Sequence, residues 1–152
     1  MKNVFLALFF LGLLNACDDE NDTVNSQAYL VFGHFYGMCV GEGCVQTYKL
    51  TEKQLFKDTE QDYSGENVKF VVLEDEKFEL VKDLMNHFPR QLLAEKEIFL
   101  GCPDCADGGG LFIQYSDNGN IRTWRIDQVK SNVPDYLHSF MDRVNAKITL
   151  LG

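Results

Sequence analysis

The sequence predicts an α+β fold, a two-layer sandwich of antiparallel hairpins packed on two helices. Three observations predict it. Short runs rich in aromatic and β-branched residues recur between turn residues, as strands do. Two later stretches space their apolar residues as helices do. Asn118-Gly119 lies between two alternating segments, which is the strongest short-range hairpin signal. Hairpins with two helices on one face bury one core between two layers.

Taken in order, Ala28 to Tyr36 (AYLVFGHFY) reads as a strand, and Gly37 to Gly43 as a turn flanked by Cys39 and Cys44. Val45 to Leu50 and Leu55 to Lys57 form a hairpin through Thr51 to Gln54. Asp58 to Asn67 is a polar loop, and Val68 to Leu73 a short strand. Glu74 to Phe88 has helical spacing: Lys77, Val81, Leu84 and Phe88 share one side, with Leu80 and Met85 beside them. Asp75 and Glu76 suit the positive end of its dipole. Pro89 ends or kinks this helix, and Arg90 to Ala94 adds a further turn. Gly101 to Gly110 is a second cysteine-bearing turn. Leu111 to Tyr115 and Ile121 to Ile126 are the strands around Asn118-Gly119. Pro134 opens the last helix, with Leu137, Phe140, Met141 and Val144 on one face. Lys147 to Leu151 (KITLL) reads as a closing strand. Each half thus carries a cysteine pair, a hairpin and a helix, without clear identity between the halves.

The start of the chain reads as an address. Met1 to Ala16 has the parts of an export signal: Lys2, an apolar run from Val4 to Leu14, and Asn15-Ala16 before a cut. The run is too short to span a bilayer, which needs about 20 apolar residues. Leu14-Asn15-Ala16-Cys17 resembles the lipobox of bacterial lipoproteins, with Asn15 as its departure from the usual pattern. The resemblance implies acylation of Cys17; two or more chains anchor stably, where one chain, at about 0.8 kcal/mol per buried methylene, binds only marginally. Asp18 to Gln27 is acidic and lacks apolar periodicity, so it reads as a flexible tether. A lipidated cysteine followed by acids resembles the surface-export signal of Bacteroidota lipoproteins. In enteric bacteria, Asp after that cysteine resembles an inner-membrane retention signal. The Phe-, Asn- and Lys-rich composition favours the first.

The organisation expected is therefore a signal peptide at 1–16, a lipidated cysteine and tether at 17–27, and one domain at 28–152. The place expected is the cell envelope, lipid-anchored at the outer membrane, on its periplasmic or surface face. The whole chain carries a net charge of −9; taking off the leader's one charge, Lys2, leaves −10. Such a surface repels nucleic acid and anionic headgroups. The partners expected are the bilayer, through acylated Cys17, and an envelope protein or ligand.

Four more cysteines remain, Cys39-x4-Cys44 and Cys102-x2-Cys105. Outside the cytoplasm such pairs are usually disulfides. Local pairs would close tiny loops worth about 2 kcal/mol each; pairs across the halves would close about 65 residues and be worth about 4 kcal/mol. The pairing is open from sequence alone. Zinc is the alternative, because C-x2-C lets two thiolates share a tetrahedral ion. His34 or Asp107 could assist it. Thiol-redox chemistry is the third reading. Against it, no helix follows Cys105, and Asp104 and Asp107 disfavour a thiolate.

No other motif carries chemistry. Asp104-x2-Asp107 before three glycines lacks the alternation of a calcium loop, and no Gly-Lys-Ser/Thr follows for a phosphate loop. His34 reads as a hydrogen-bonded strand residue, and His87 and His138 as polar helix edges. Tyr36, Tyr48, Tyr115 and Trp124 read as core, with an exposed binding face as the alternative. No catalytic residue is assigned. Gly37 to Cys44 leading into Tyr48-Lys49-Leu50, followed by Gly101 to Asp107, resembles a family of small Bacteroidota-type lipoproteins with paired-cysteine turns. The resemblance implies compartment and lineage, and no activity. The function expected is a non-enzymatic binding or structural role, with metal binding or thiol-redox work by Cys39, Cys44, Cys102 and Cys105 as the alternative.

Overall fold

The computed structural model describes residues 28–41 and 43–152. The leader, Cys17 and the tether lie outside the described residues. The fold is α+β: one seven-stranded, open sheet with two α-helices on one face. The strands are β1 (Tyr29–Phe35), β2 (Val45–Leu50), β3 (Leu55–Asp58), β4 (Phe70–Val72), β5 (Phe99–Leu100), β6 (Gly110–Asp117) and β7 (Asn120–Asp127). Their order across the sheet is β4-β3-β2-β1-β6-β7-β5. All neighbours are antiparallel except β5, which lies parallel to β7. The two halves of the chain are thus the two halves of the sheet, joined where β1 meets β6.

Alternation along each strand decides the faces. Leu30 lies opposite Leu50 and Tyr115, and Phe32 opposite Tyr48 and Ile113. These residues point to the helices and are buried, together with Leu111, Trp124 and Ile126. Across from them pack Val81, Leu84, Leu92, Phe140, Met141, Val144 and Ile148. Phe88 stacks on Tyr115 at 4.2 Å between ring centroids and meets Phe140 edge-on at 5.9 Å. Such ring pairs add about 0.5–1.5 kcal/mol beyond burial. The core reading of Tyr48, Tyr115 and Trp124 holds; Tyr36 is half-buried. The tight turn between β6 and β7 is Asn118-Gly119, with φ of 49° and 79°, as a two-residue hairpin requires.

The structure departs from the sequence reading in four places. The first helix is short: α1 covers Asp75–Val81, and the chain then continues in tight turns, Leu84–His87 and Arg90–Ala94. Pro89 removes an N–H and forces Phe88 into an extended conformation, ψ 123°, so no helix can pass through it. Val81 and Leu84 still point inward, three residues apart, which suits the tighter coil. At the C-terminus, Lys147 to Leu151 is not a strand. It forms the last turns of α2 (His138–Leu151). Ile148 and Leu151 are buried and extend the Met141 and Val144 stripe, while Thr149 and Leu150 are exposed. The β preference of Ile148 and Thr149 yields to that stripe. Lys147 also ties α2 to the segment after α1 through an ion pair with Asp83 at 2.7 Å. α2 begins one tight turn, Asp135–Leu137, after Pro134. Lastly, β5 escaped the sequence reading, since two residues carry no period. Among the described residues, no helix is long and apolar enough to cross a membrane.

Candidate functional site

Among the described residues, no second layer of helices or strands covers the face of the sheet away from the helices. Its inner set is Val31, Phe35, Val45 and Phe112, with Tyr29 and Phe70 packed against them. Around these the strands present Lys49, Gln114, Thr123 and Arg125, which share the face by register. The loop from β3 to β4, residues 59–69, crosses part of it as a strap.

Two aspartates build the strap. Asp58 is buried and accepts the N–H groups of Glu60 (3.2 Å), Gln61 (3.0 Å) and Lys69 (2.7 Å), so it closes the base. Asp62 accepts the Ser64 hydroxyl, the N–H groups of Glu66 and Asn67, and the Asn67 amide. These bonds, that from Ser64 first, lower the Asp62 pKa to about 2. The strap touches the sheet at Gly65, whose φ is +72°. A Cβ there would stand 2.6 Å from the Phe112 ring, so both conformation and space call for glycine.

Arg125 stands beneath the strap. Its guanidinium lies 3.9 Å from the Phe35 ring centre and 4.7 Å from that of Tyr63, and donates to the Tyr63 carbonyl at 2.7 Å. Guanidinium groups favour such stacking on aromatic faces. No carboxylate among the described residues pairs with Arg125. Beside it opens a cavity of about 380 Å³, lined by Ser64, Glu66, Ile98, Phe99, Gln114 and Arg125 among others. Ile98 and Phe99 are more than half exposed at its rim. The Gln114 amide donates to the Thr123 hydroxyl at 3.0 Å on its floor. One cation, one carboxylate, an amide, hydroxyls and exposed apolar side chains therefore converge on one cleft.

Next to this cleft the structure brings the two cysteine turns together. Cys39 pairs with Cys44 and Cys102 with Cys105, each with Cα atoms 5.5 Å apart, within disulfide range. The sequence left the pairing open; local pairing holds. The turns meet through Asp104, whose carboxylate accepts Gly37 N–H (2.8 Å), the Tyr63 hydroxyl (2.9 Å) and Gly109 N–H (3.0 Å). Burial, together with the Asp104 bond and charge, raises the Tyr63 pKa. A second hollow, about 570 Å³, lies here against Tyr36, Met38 and both cysteines of the first pair. Asp127, at the end of β7, holds the second turn from below. It accepts Cys102 N–H (2.9 Å), Val129 N–H (2.8 Å) and the Asn132 amide (2.7 Å). Burial opposes its charge, but these bonds outweigh burial and lower its pKa.

The four cysteines thus form two separate pairs rather than one cluster. Among the described residues, no group of three or more His, Cys, Asp or Glu is placed to hold a metal ion. His34 donates to the Gly43 carbonyl at 3.0 Å, and Asp107 is exposed on the other turn. His87 faces Asp83 at 3.8 Å, and His138 donates to the Lys130 carbonyl at 2.8 Å. Sequence reasoning missed Arg125, Tyr63 and Gly65. A faint signal existed: Ile121, Thr123 and Arg125 alternate against Trp124 and Ile126, which marks a mixed outer face.

Fold and cleft define an open-faced α+β domain, strapped across its bare face and stapled at one end. In comparisons with known proteins, no family model matches the chain and no curated protein matches it.

Proposed function

We propose that this chain is a lipid-anchored envelope protein of the Bacteroidota type, and that its domain is a non-enzymatic binding module. The address rests on the lipobox-like Leu14 to Cys17 and the acidic residues after it. The binding reading rests on one observation: the cleft under the strap is lined by Arg125, which pairs with no carboxylate among the described residues, by exposed Ile98 and Phe99, and by Glu66. Small-ligand sites have this make-up, mostly apolar with a few convergent polar groups.

The ligand this chemistry fits is an α-amino acid with an apolar side chain. Arg125 takes the carboxylate with planar donors. Glu66 takes the ammonium group. Ile98, Phe99 and Phe112 receive the side chain. The cavity is near the lower end of the usual range for ligand pockets, roughly 300–1,000 Å³, as a small ligand requires.

The test is titration of the purified full chain with L-phenylalanine, followed by amide chemical shifts. The expected result is saturable shifts at Ile98, Phe99, Gln114 and Thr123, lost with phenylalaninamide and with N-acetylphenylalanine. Equal shifts from all three compounds, or shifts confined to other surfaces, would sink the reading. Membrane-fraction labelling with a radioactive fatty acid tests the anchor. Label that persists in a Cys17→Ser chain would exclude Cys17 as its site.

A further inference from the structure

We infer that Cys102–Cys105 is a reducible latch on the strap, so that the cleft beneath it opens when this one disulfide is broken. The inference concerns regulation of the proposed binding site, and its ligand consequence rests on that reading; the latch itself does not.

The contacts run in one line. Asp104 lies inside the four-residue ring that the disulfide closes. From there its carboxylate holds three segments at once: the first cysteine turn at Gly37, the strap at Tyr63, and its own turn at Gly109. Tyr63 in turn stacks on Arg125 and accepts its N–H. Beyond its two anchor points on Asp58 and the Gly65 contact, Tyr63 is where the strap joins the rest of the domain.

Asp104 keeps this position against the local preference of the chain. Its φ is 63°, and Ala106 and Asp107 follow at 52° and 61°, between Gly101 at 74° and Gly109 at 70°. Residues with a Cβ rarely adopt the left-handed region, least of all three within four positions. A closed ring across Cys102 and Cys105 restricts the alternatives that an open chain would take. Opening the ring lets this run relax to right-handed or extended backbone, which carries the Asp104 carboxylate away from Gly37 and Tyr63.

The other pair does not do this. Among the described residues of the Cys39–Cys44 ring none bonds to the strap, and Cys44 is buried. Cys102 and Cys105 are both exposed and open to an attacking thiolate. The step is ordinary exchange. A dithiol, free or on a protein, attacks one sulfur and forms a mixed disulfide; its second thiol then displaces that sulfur. The Cys102–Cys105 bond gains two electrons and two protons and becomes two thiols, and the dithiol becomes a disulfide. Asp104 and Asp107 slow anionic attack, so the pair is a latch rather than a catalyst of exchange.

The test is amide hydrogen exchange on the full chain, oxidised and after dithiothreitol, with alkylation to show which pair has opened. Two variants accompany it, Cys102→Ser/Cys105→Ser and Cys39→Ser/Cys44→Ser. Expected is about tenfold faster exchange in 62–67 on reduction, with β1, β6 and α2 unchanged, as in sub-global opening. The Cys102→Ser/Cys105→Ser chain should show this without reductant, and the other variant should not. If 62–67 keeps its protection once Cys102 and Cys105 are alkylated, the latch is refuted. Uniform loss of protection through β1 and α2 refutes it equally, since the disulfide is then only structural. L-Phenylalanine titration in both states separates the readings: faster strap exchange without any binding upholds the latch and removes the ligand.

Discussion

Asp127→Ala is the change whose cost can be worked most directly from the structure. The carboxylate is 3 % exposed and accepts three hydrogen bonds, from Cys102, Val129 and Asn132. Bonds to a charged group are worth about 1.5–3 kcal/mol each. Cys102 and Val129 are exposed residues, so water can take up part of what their N–H groups lose. A net cost of about 3 kcal/mol follows from the lower bound with that recovery. Against a total stability of about 5–15 kcal/mol this is large. Urea unfolding of the full chain, with a slope of about 2 kcal/mol per molar, should show the midpoint falling by about 1.5 M. Asp127→Asn keeps one acceptor oxygen and should lose about half as much. The pH dependence gives a second check. A depressed folded pKa means the carboxylate stabilises above its unfolded pKa of about 4, and that this is lost as pH falls through the lower folded value. The native chain should therefore lose more between pH 7 and pH 3 than Asp127→Ala does. A midpoint shift under about 0.3 M, or an Asn variant as poor as Ala, would show that Asp127 does not hold the turn as described.

Three further outcomes are expected. Gly65→Ala forces a Cβ to within 2.6 Å of Phe112 at φ +72° and should cost about 1–2 kcal/mol locally, read as faster amide exchange in 59–69 with β1 unchanged; unchanged exchange would place the strap elsewhere. Lowering pH from 5 to 2 should loosen the same strap, because Asp62 is stabilising as a carboxylate above about pH 4 and loses this as pH falls toward about 2; Asp62→Asn should be loose at every pH, and a pH-independent native strap would contradict this. Ile148→Ala should cost about 2–4 kcal/mol and Leu150→Ala under about 0.5 kcal/mol, because the helix buries the first and exposes the second; equal costs in urea unfolding would contradict the helical register of 147–151.

Local chemistry made much of the fold legible. Tyr29 to Phe35, Val45 to Leu50 and the Asn118-Gly119 hairpin are readable because alternation, aromatic content and turn residues lie within a few positions of each other. The α+β class follows from them together with the two apolar stripes. Sequence also limited the cysteine question to a few pairings. Where local preference and packing disagreed, sequence misled: Ile148 and Thr149 look like a strand, yet Val144 and Met141 draw them into a helix that already faces the core.

The tertiary structure alone decided the site. Tyr63 meets Asp104 across 41 positions and Arg125 across 62, and Gly37 meets Asp104 across 67. No period or motif joins residues so far apart, because what brings them together is the pairing of β1 with β6, which sets two distant turns side by side. The bare sheet face has the same origin. Alternation shows that each strand has two faces, but only the packing of both helices on one of them leaves the other, among the described residues, to the strap alone, with Phe99 exposed and Arg125 half-buried at its cleft.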